Sequence, residues 1–304
     1  MRNISFFIPA YNCSQTIAES VDSIMETNFS AGDELIIVND HSSDATSPVL
    51  KFIKDKYPAT KIIFHSRNKG GAAARNTAVE NSQHELLFCL DADNVLEKNS
   101  IAALKKELEC KNADIASFQE MRYFNTEDKF DTKYVWRFLP ETSLADFMAD
   151  HKNPGSSGNY LFTKSSWLKA KGYPEFAGAL DTWGFCFNQL ASGGKLVALP
   201  GSYYFHRYGS DSYYIRDMGS RNMSIAALQI ILPYHFLVDP DDLDHIMARE
   251  NRYDWFENLD KRPIRITGSP AGIKSASIYI QQPAKKDGLL KRIYKRLKNT
   301  FFMV

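Results

Sequence analysis

Cysteine is scarce in this 304-residue chain: Cys13, Cys89, Cys110 and Cys186 stand far apart, and no two form a CxxC pair. That excludes a disulfide scaffold or a Cys-rich zinc module and points to a reducing compartment. A long hydrophobic run is also missing. The longest, Ser224 to Val238, is broken by Gln229, Pro233, Tyr234 and His235, short of the ~20 apolar residues of a membrane span. The opening Met1–Pro9 stretch is too short, and too soon interrupted by proline, for a signal peptide. Nor is there an excess of one charge: 37 Lys and Arg face 36 Asp and Glu, a net charge of +1. A nucleic-acid binder with a basic body is thereby excluded. No internal repeat, GxGxxG fingerprint or GK[ST] P-loop occurs.

What is there is ordinary globular composition, 44% hydrophobic and 24% charged, in a chain long enough to bury a core without staples. The first hundred residues alternate two patterns. Ile4–Ile8, Leu35–Val38, Ile62–Phe64 and Leu86–Leu90 are short apolar runs of the kind buried parallel strands show. Between them lie amphipathic stretches, the first capped by Ser14 and carrying Ile17, Val21, Ile24 and Met25 on one face, the others near 45–56, 71–81 and 99–110. Strand-helix units in series predict an α/β fold with a mostly parallel central sheet flanked by helices. Further on, a helix is expected at 181–192, a strand at 196–199, an aromatic segment at 203–208, and an acidic helical extension from 221. The expected division is 1–110, 111–220 and 221–304.

Each of the four strands runs into a polar cluster: Pro9-Ala10-Tyr11-Asn12, Asn39-Asp40-His41-Ser42-Ser43-Asp44, Arg67 to Asn76 with Gly70-Gly71, and Asp91-Ala92-Asp93. The carboxyl ends of parallel strands lie along one sheet edge, where ligands bind, so the clusters read as one site. Tyr11 offers an aromatic face for a base, and Asp40 an acceptor for a ring N–H or ribose hydroxyl. Gly71 lets a phosphate approach a helix N-terminus, with Arg67 and Arg75 as bidentate partners for a diphosphate. Asp91 and Asp93 have the spacing to hold a hard divalent cation. The triplet alone is weak evidence, since 22 Asp in this chain produce about two by chance. Asp239-Pro240-Asp241 and Asp242-Leu243-Asp244 are two more, expected on a solvated helix approach.

The ordered set FIPAYN, VNDHSSDAT, NKGGAAARN and LLFCLDADN resembles glycosyltransferase family 2, inverting enzymes with the GT-A fold, closely over residues 1–110. The segments GNYLFTKSSWLKAKGY and YYFHRYGSDS are similar more loosely. The resemblance implies a bacterial surface-polysaccharide enzyme of the hexosyl- or N-acetylhexosaminyltransferase class. It would move a sugar from a nucleotide-diphosphate donor, UDP-linked, to a glycan or lipid-linked glycan acceptor with Mn²⁺ or Mg²⁺. The donor would lie on Pro9, Tyr11, Asn12, Asp40, Arg67, Gly71, Arg75, Asp91 and Ala92, and the metal on Asp93, Asp91 and His206. The family's acidic pair falls on Ala179-Leu180-Asp181, leaving Asp181 as base. Asp181 reads equally as a helix cap, and His206 equally as a satisfied strand histidine. Trp183, Tyr203 and Tyr204 fit sugar stacking or core. A nucleotidyltransferase and an inactive glycan- or membrane-binding module are the competing functions.

Residues 285–304 carry five Lys and two Arg against one Asp, so the rest of the chain sums to −5. Leu289, Ile293, Leu297 and Phe301 recur at helical spacing among those cations. Such a segment either lies on an anionic membrane surface or packs on its own domain. The expected location is cytoplasmic, peripheral to the inner face of the cell membrane.

Overall fold

Alternating apolar runs become strands in the computed structural model, which describes residues 2–124, 132–208, 221–251 and 253–269. Strands β1 (Ile4–Ala10), β2 (Glu34–Asn39), β3 (Lys61–Phe64) and β4 (Leu86–Cys89) are joined by helices α1 (Ile17–Met25), α2 (Thr46–Lys56) and α3 (Gly71–Glu80). They lie in the order β3-β2-β1-β4, every pair parallel. Ala10 pairs with Asn39 and Asn39 with Phe64, so the three strands end level.

Beyond β4 come β5 (Val95–Leu96), α4 (Ser100–Cys110), β6 (Ile115–Phe124), β7 (Tyr134–Arg137), β8 (Glu141–Thr142), α5 (Leu144–Phe147), α6 (Pro154–Ser157), β9 (Tyr160–Thr163), α7 (Lys164–Lys169), α8 (Asp181–Ala191) and β10 (Leu196–Arg207). The sheet continues β4-β9-β6-β10-β5, with β7 on β6 and β8 on β10. Strand β9 is antiparallel to both neighbours, whereas β6 and β10 are parallel to each other. Strands β6 and β10 therefore point the same way as β1–β4, and their carboxyl ends share that edge.

Both faces are covered because successive residues of a strand point to opposite sides. Phe6 and Ile8 pack with Ile17, Val21 and Ile24 of α1 and Ile101, Leu104 and Leu108 of α4. Phe7 faces the other way, edge-on to Phe162 at 6.1 Å, toward the aromatic layer of Tyr160, Phe185, Trp183 and Phe187. Each fully buried ring contributes about 1.5–3 kcal/mol. Trp183 and Tyr204, 1% exposed, belong to this core and not to a sugar-binding face.

The structure corrects three other expectations. Ser14 does not cap α1: its amide donates to Asp44 Oδ2 at 3.1 Å, and the helix starts later, after Thr16. The strand at 196–199 and the aromatic segment are one strand, β10, whose register against β6 shifts between Leu199 and Tyr203. Gly201 absorbs that irregularity at φ +70°. Asp242 is not solvated but 3% exposed, held by Arg265 Nε at 2.9 Å.

Helices α9 (Arg221–Ile231) and α10 (Pro240–Met247) follow β10. Residues up to Gly268 form one compact unit; of the second, Ser269–Val304, only Ser269 is described. The basic amphipathic pattern at 285–304 thus lies outside the described residues. Among those described, no helix is long and apolar enough to cross a membrane.

Candidate active site

The parallel strands deliver their polar clusters to one edge, and a single buried arginine ties that edge to α8. Arg75, from the first turns of α3, donates Nη1 to Asp181 Oδ2 and Nη2 to Asp91 Oδ1, each at 2.7 Å. The expectation that Arg75 grips a diphosphate is therefore corrected: its two faces are taken by carboxylates. Burial works against the guanidinium's charge, but Asp181 and then Asp91 hold its pKa well above the ordinary value. Asp181, first residue of α8 and 8% exposed, also accepts from the Thr182 amide at 2.7 Å. Burial raises its carboxyl and Arg75 opposes the rise. A carboxyl raised by burial and held beside a fixed cation has the chemistry of a proton acceptor.

Gly71 sits against this pair. A Cβ there would lie 2.7 Å from Arg75 Nη1 and 3.1 Å from Asp181 Oδ2. Gly70 is glycine for another reason, φ +91° with open space around it. The first amides of α3, from Gly71, have no partner within the helix and face the same edge, a ready anion site.

Asp91 is oriented from a second side. Asn159, fully buried, accepts from the Asp91 amide at 2.7 Å and donates to Asp91 Oδ2 at 3.0 Å. Asp93 opens to solvent, but the surrounding walls desolvate its carboxyl and, with the Asp91 charge, push it up to about 7. Ala92 between them is buried. Arg207 at the end of β10 clips this loop, donating its amide to Asn94 Oδ1 at 3.0 Å and Nε to the Asp93 carbonyl at 3.1 Å, while Nη2 reaches Glu19 at 2.6 Å.

Asp91, Asp93 and His206 do not form a ready-made metal cage. Among the described residues no group of three or more His, Cys, Asp or Glu gathers to hold an ion. Arg75 and Asn159 draw the Asp91 carboxylate toward themselves, and His206 Nδ1 lies 3.3 Å from the Tyr204 hydroxyl. Burial lowers His206 to about 4, against the pull of Asp91, so the ring is neutral. Carboxylate oxygens are hard donors of the kind a divalent cation takes, but the Asp91 charge is already met by Arg75 at 2.7 Å.

The other donor-side candidates fall into different settings. Asp40 is 2% exposed and staples the glycine turn: it meets His65 Nδ1 at 2.6 Å and accepts from the amides of Lys69 at 2.8 Å and Gly70 at 2.7 Å. Little of it remains for a ribose or a base. Asn12, at φ +48°, ties the first loop to the second, accepting from the Ser43 amide at 2.8 Å. Tyr11, 50% exposed, and Arg67, exposed beside the turn, face solvent. Pro9 pairs with Val38 within the sheet. Sequence reasoning missed Asn159, Asn94 and the clip role of Arg207; Asn159 stood within the GNYLFTKSSWLKAKGY segment, but nothing in it signals a reach across 68 residues.

The chain is similar to known proteins in sequence and in fold. Chondroitin synthase of Pasteurella multocida (strain Pm70) is 26% identical over 311 residues, covering 95% of this chain and 30% of the synthase. Hyaluronan synthase of Pasteurella multocida is 28% identical over 262 residues, 85% of this chain and 25% of that one. The chain thus spans about a third or less of the length of these two relatives. Among solved structures, Staphylococcus aureus TarS 1–349 in complex with UDP-GlcNAc matches with a TM-score of 0.63 at 18% identity, over 85% of this chain and 74% of that one. A mannosyltransferase from Pyrobaculum calidifontis, in complex with GDP-Man and Mn²⁺, matches with a TM-score of 0.57 at 15% identity, over 99% and 81%. These likenesses show the fold, a central sheet flanked by helices. The model of the glycosyl transferase family 2 matches residues 5–170, more than half of the sequence, and the chain belongs to that family.

Proposed function

We propose that this chain transfers a sugar, with inversion, from a UDP-linked donor to a hydroxyl of a glycan acceptor in surface-polysaccharide synthesis. The observation that carries the reading is the junction Asp181–Arg75–Asp91. It sets a buried base one guanidinium away from the acidic loop that would face the donor diphosphate.

Asp181 takes the proton of the acceptor hydroxyl as its oxygen attacks the anomeric carbon and the bond to the diphosphate breaks. Arg75 keeps Asp181 ionised and fixed in direction. The amides at the start of α3 and the exposed Arg67 receive the departing diphosphate, and Tyr11 offers its ring to the base. Asp93, backed by Asp91, would hold Mn²⁺ or Mg²⁺, which neutralises the leaving charge when bound. The TarS complex with UDP-GlcNAc and the mannosyltransferase complex with Mn²⁺ support the donor and metal classes. The basic amphipathic pattern of 285–304 supports contact with an anionic lipid surface.

Thermal unfolding with a panel of UDP- and GDP-sugars, with and without Mn²⁺, tests the reading. A UDP-sugar with Mn²⁺ should raise the midpoint, because a ligand that binds only the folded state stabilises it. The same pair should show slow donor hydrolysis. No shift and no hydrolysis with any donor overturns it.

A further inference from the structure

Where β6 and β10 end and β7 begins, four aromatic side chains gather around Tyr123. Tyr134 stacks on it at 4.0 Å and 20°, Trp136 meets it edge-on at 5.4 Å, and Tyr208 lies 6.5 Å from Tyr123 and 5.9 Å from Tyr134. His206 closes the group, 4.9 Å from Tyr123. Tyr123 is buried, but Tyr134 and Tyr208 are 41% and 42% exposed. Two tyrosine rings, held in place by ring contacts, thus present a joined aromatic surface to solvent.

Position suggests a ligand. These ends lie on the same sheet edge as the acidic loop: β10 pairs with Val95 and Leu96 just after it, and the Arg207 amide, one residue before Tyr208, donates to Asn94 Oδ1 of the loop. The ledge is thus continuous with the proposed transfer site, on the side away from β1–β3, where the donor elements sit. The chemistry agrees. Rings bearing hydroxyls, set beside the His206 imidazole, suit a ligand with apolar faces and a polar rim, which describes a pyranose. An aliphatic ligand would leave those polar tips unpaired.

We infer that Tyr134 and Tyr208, supported by Tyr123 and Trp136, form an acceptor ledge that stacks a pyranose ring of the growing glycan and aims its terminal hydroxyl at the site. This rests on the proposed function and adds its acceptor class and residues.

The test titrates the full chain, without donor, with hyaluronan, chondroitin and chitin tetrasaccharides, reading heat and intrinsic tryptophan fluorescence. At least one should bind. Tyr134→Ala and Tyr208→Ala should each weaken it roughly 3- to 10-fold, the range for losing one ring contact, whereas Tyr134→Phe should retain it. Hydrolysis of UDP-GlcNAc without acceptor should match the unaltered protein in all three variants. Hydrolysis is thus the separate readout of the proposed function: its absence from the unaltered protein sinks that reading, while intact hydrolysis with failed sugar binding sinks only the ledge. Absence of binding by all three sugars, or equal binding by the doubly substituted Tyr134→Ala/Tyr208→Ala protein, overturns the inference.

Discussion

Asn159 holds Asp91 with both ends of one amide, accepting from its backbone N–H at 2.7 Å and donating to its carboxylate at 3.0 Å. The pairing spans two halves of the chain and sets the direction of the acidic loop. Asn159→Ala leaves both Asp91 groups short of a partner. A loss of about 1–3 kcal/mol is expected, read as a lower denaturant midpoint, together with weaker UDP-sugar binding. Unchanged donor affinity would detach Asn159 from the site.

Arg75 is bonded to two carboxylates at once, so Arg75→Ala strands both. Breaking a buried pair costs about 3–5 kcal/mol. Arg75→Lys, a single point charge in place of a fork, should fold better but still lose turnover. The sign of the pH effect follows from the cause. Arg75 opposes the burial that raises Asp181, so without it the carboxyl rises further. The acid limb of the turnover profile should then move to higher pH; a profile that stays in place or moves the other way contradicts the pairing.

Asp181→Asn keeps the shape and removes the base. Turnover should fall by ~10²–10⁴, while donor affinity measured by titration stays near that of the unaltered protein. Near-normal turnover would leave Asp181 as a helix-starting residue, with Glu175, bonded to Asn76 at 3.2 Å, as the next base to test.

Excess EDTA should abolish transfer, and Mn²⁺ or Mg²⁺ should restore it. Asp93→Ala should not be restored at the same metal concentration. Because Asp93 opens to solvent, its thermal midpoint should barely move.

The adjacent glycines should fail differently. Gly71→Ala drives a methyl into Arg75 and Asp181, so turnover should drop more than stability. Gly70→Ala meets open space but forces an L-residue to φ +91°, ψ 163°, costing about 1–3 kcal/mol with a smaller effect on chemistry. Equal kinetic losses would contradict the steric account.

The first four strands were legible because parallel strands buried on both faces read as plain apolar runs, and the polar clusters at their ends marked the edge. Family membership was legible from the same motifs. Side-chain pairings were not. Arg75 finds Asp181 across 106 residues and Asp40 finds the Lys69 and Gly70 amides across 29 and 30, matches that only the assembled sheet decides. Strand β9 escaped notice because four buried residues show no period. Asp242 looked solvated because its partner Arg265 follows 23 residues later.

Strand β9 also bears on how the chain is made. It sits in the middle of the sheet, antiparallel between β4 and β6, yet is one of the later strands synthesised. Until residue 163 has emerged, β4 presents a bare edge, and Leu86-Leu87-Phe88-Cys89 is fully buried in the finished molecule. An uncovered apolar edge is a template for self-association. A nascent chain stalled near residue 110, or a fragment cut there, should therefore aggregate. Exchange of the early half between relatives has to carry β9 with it.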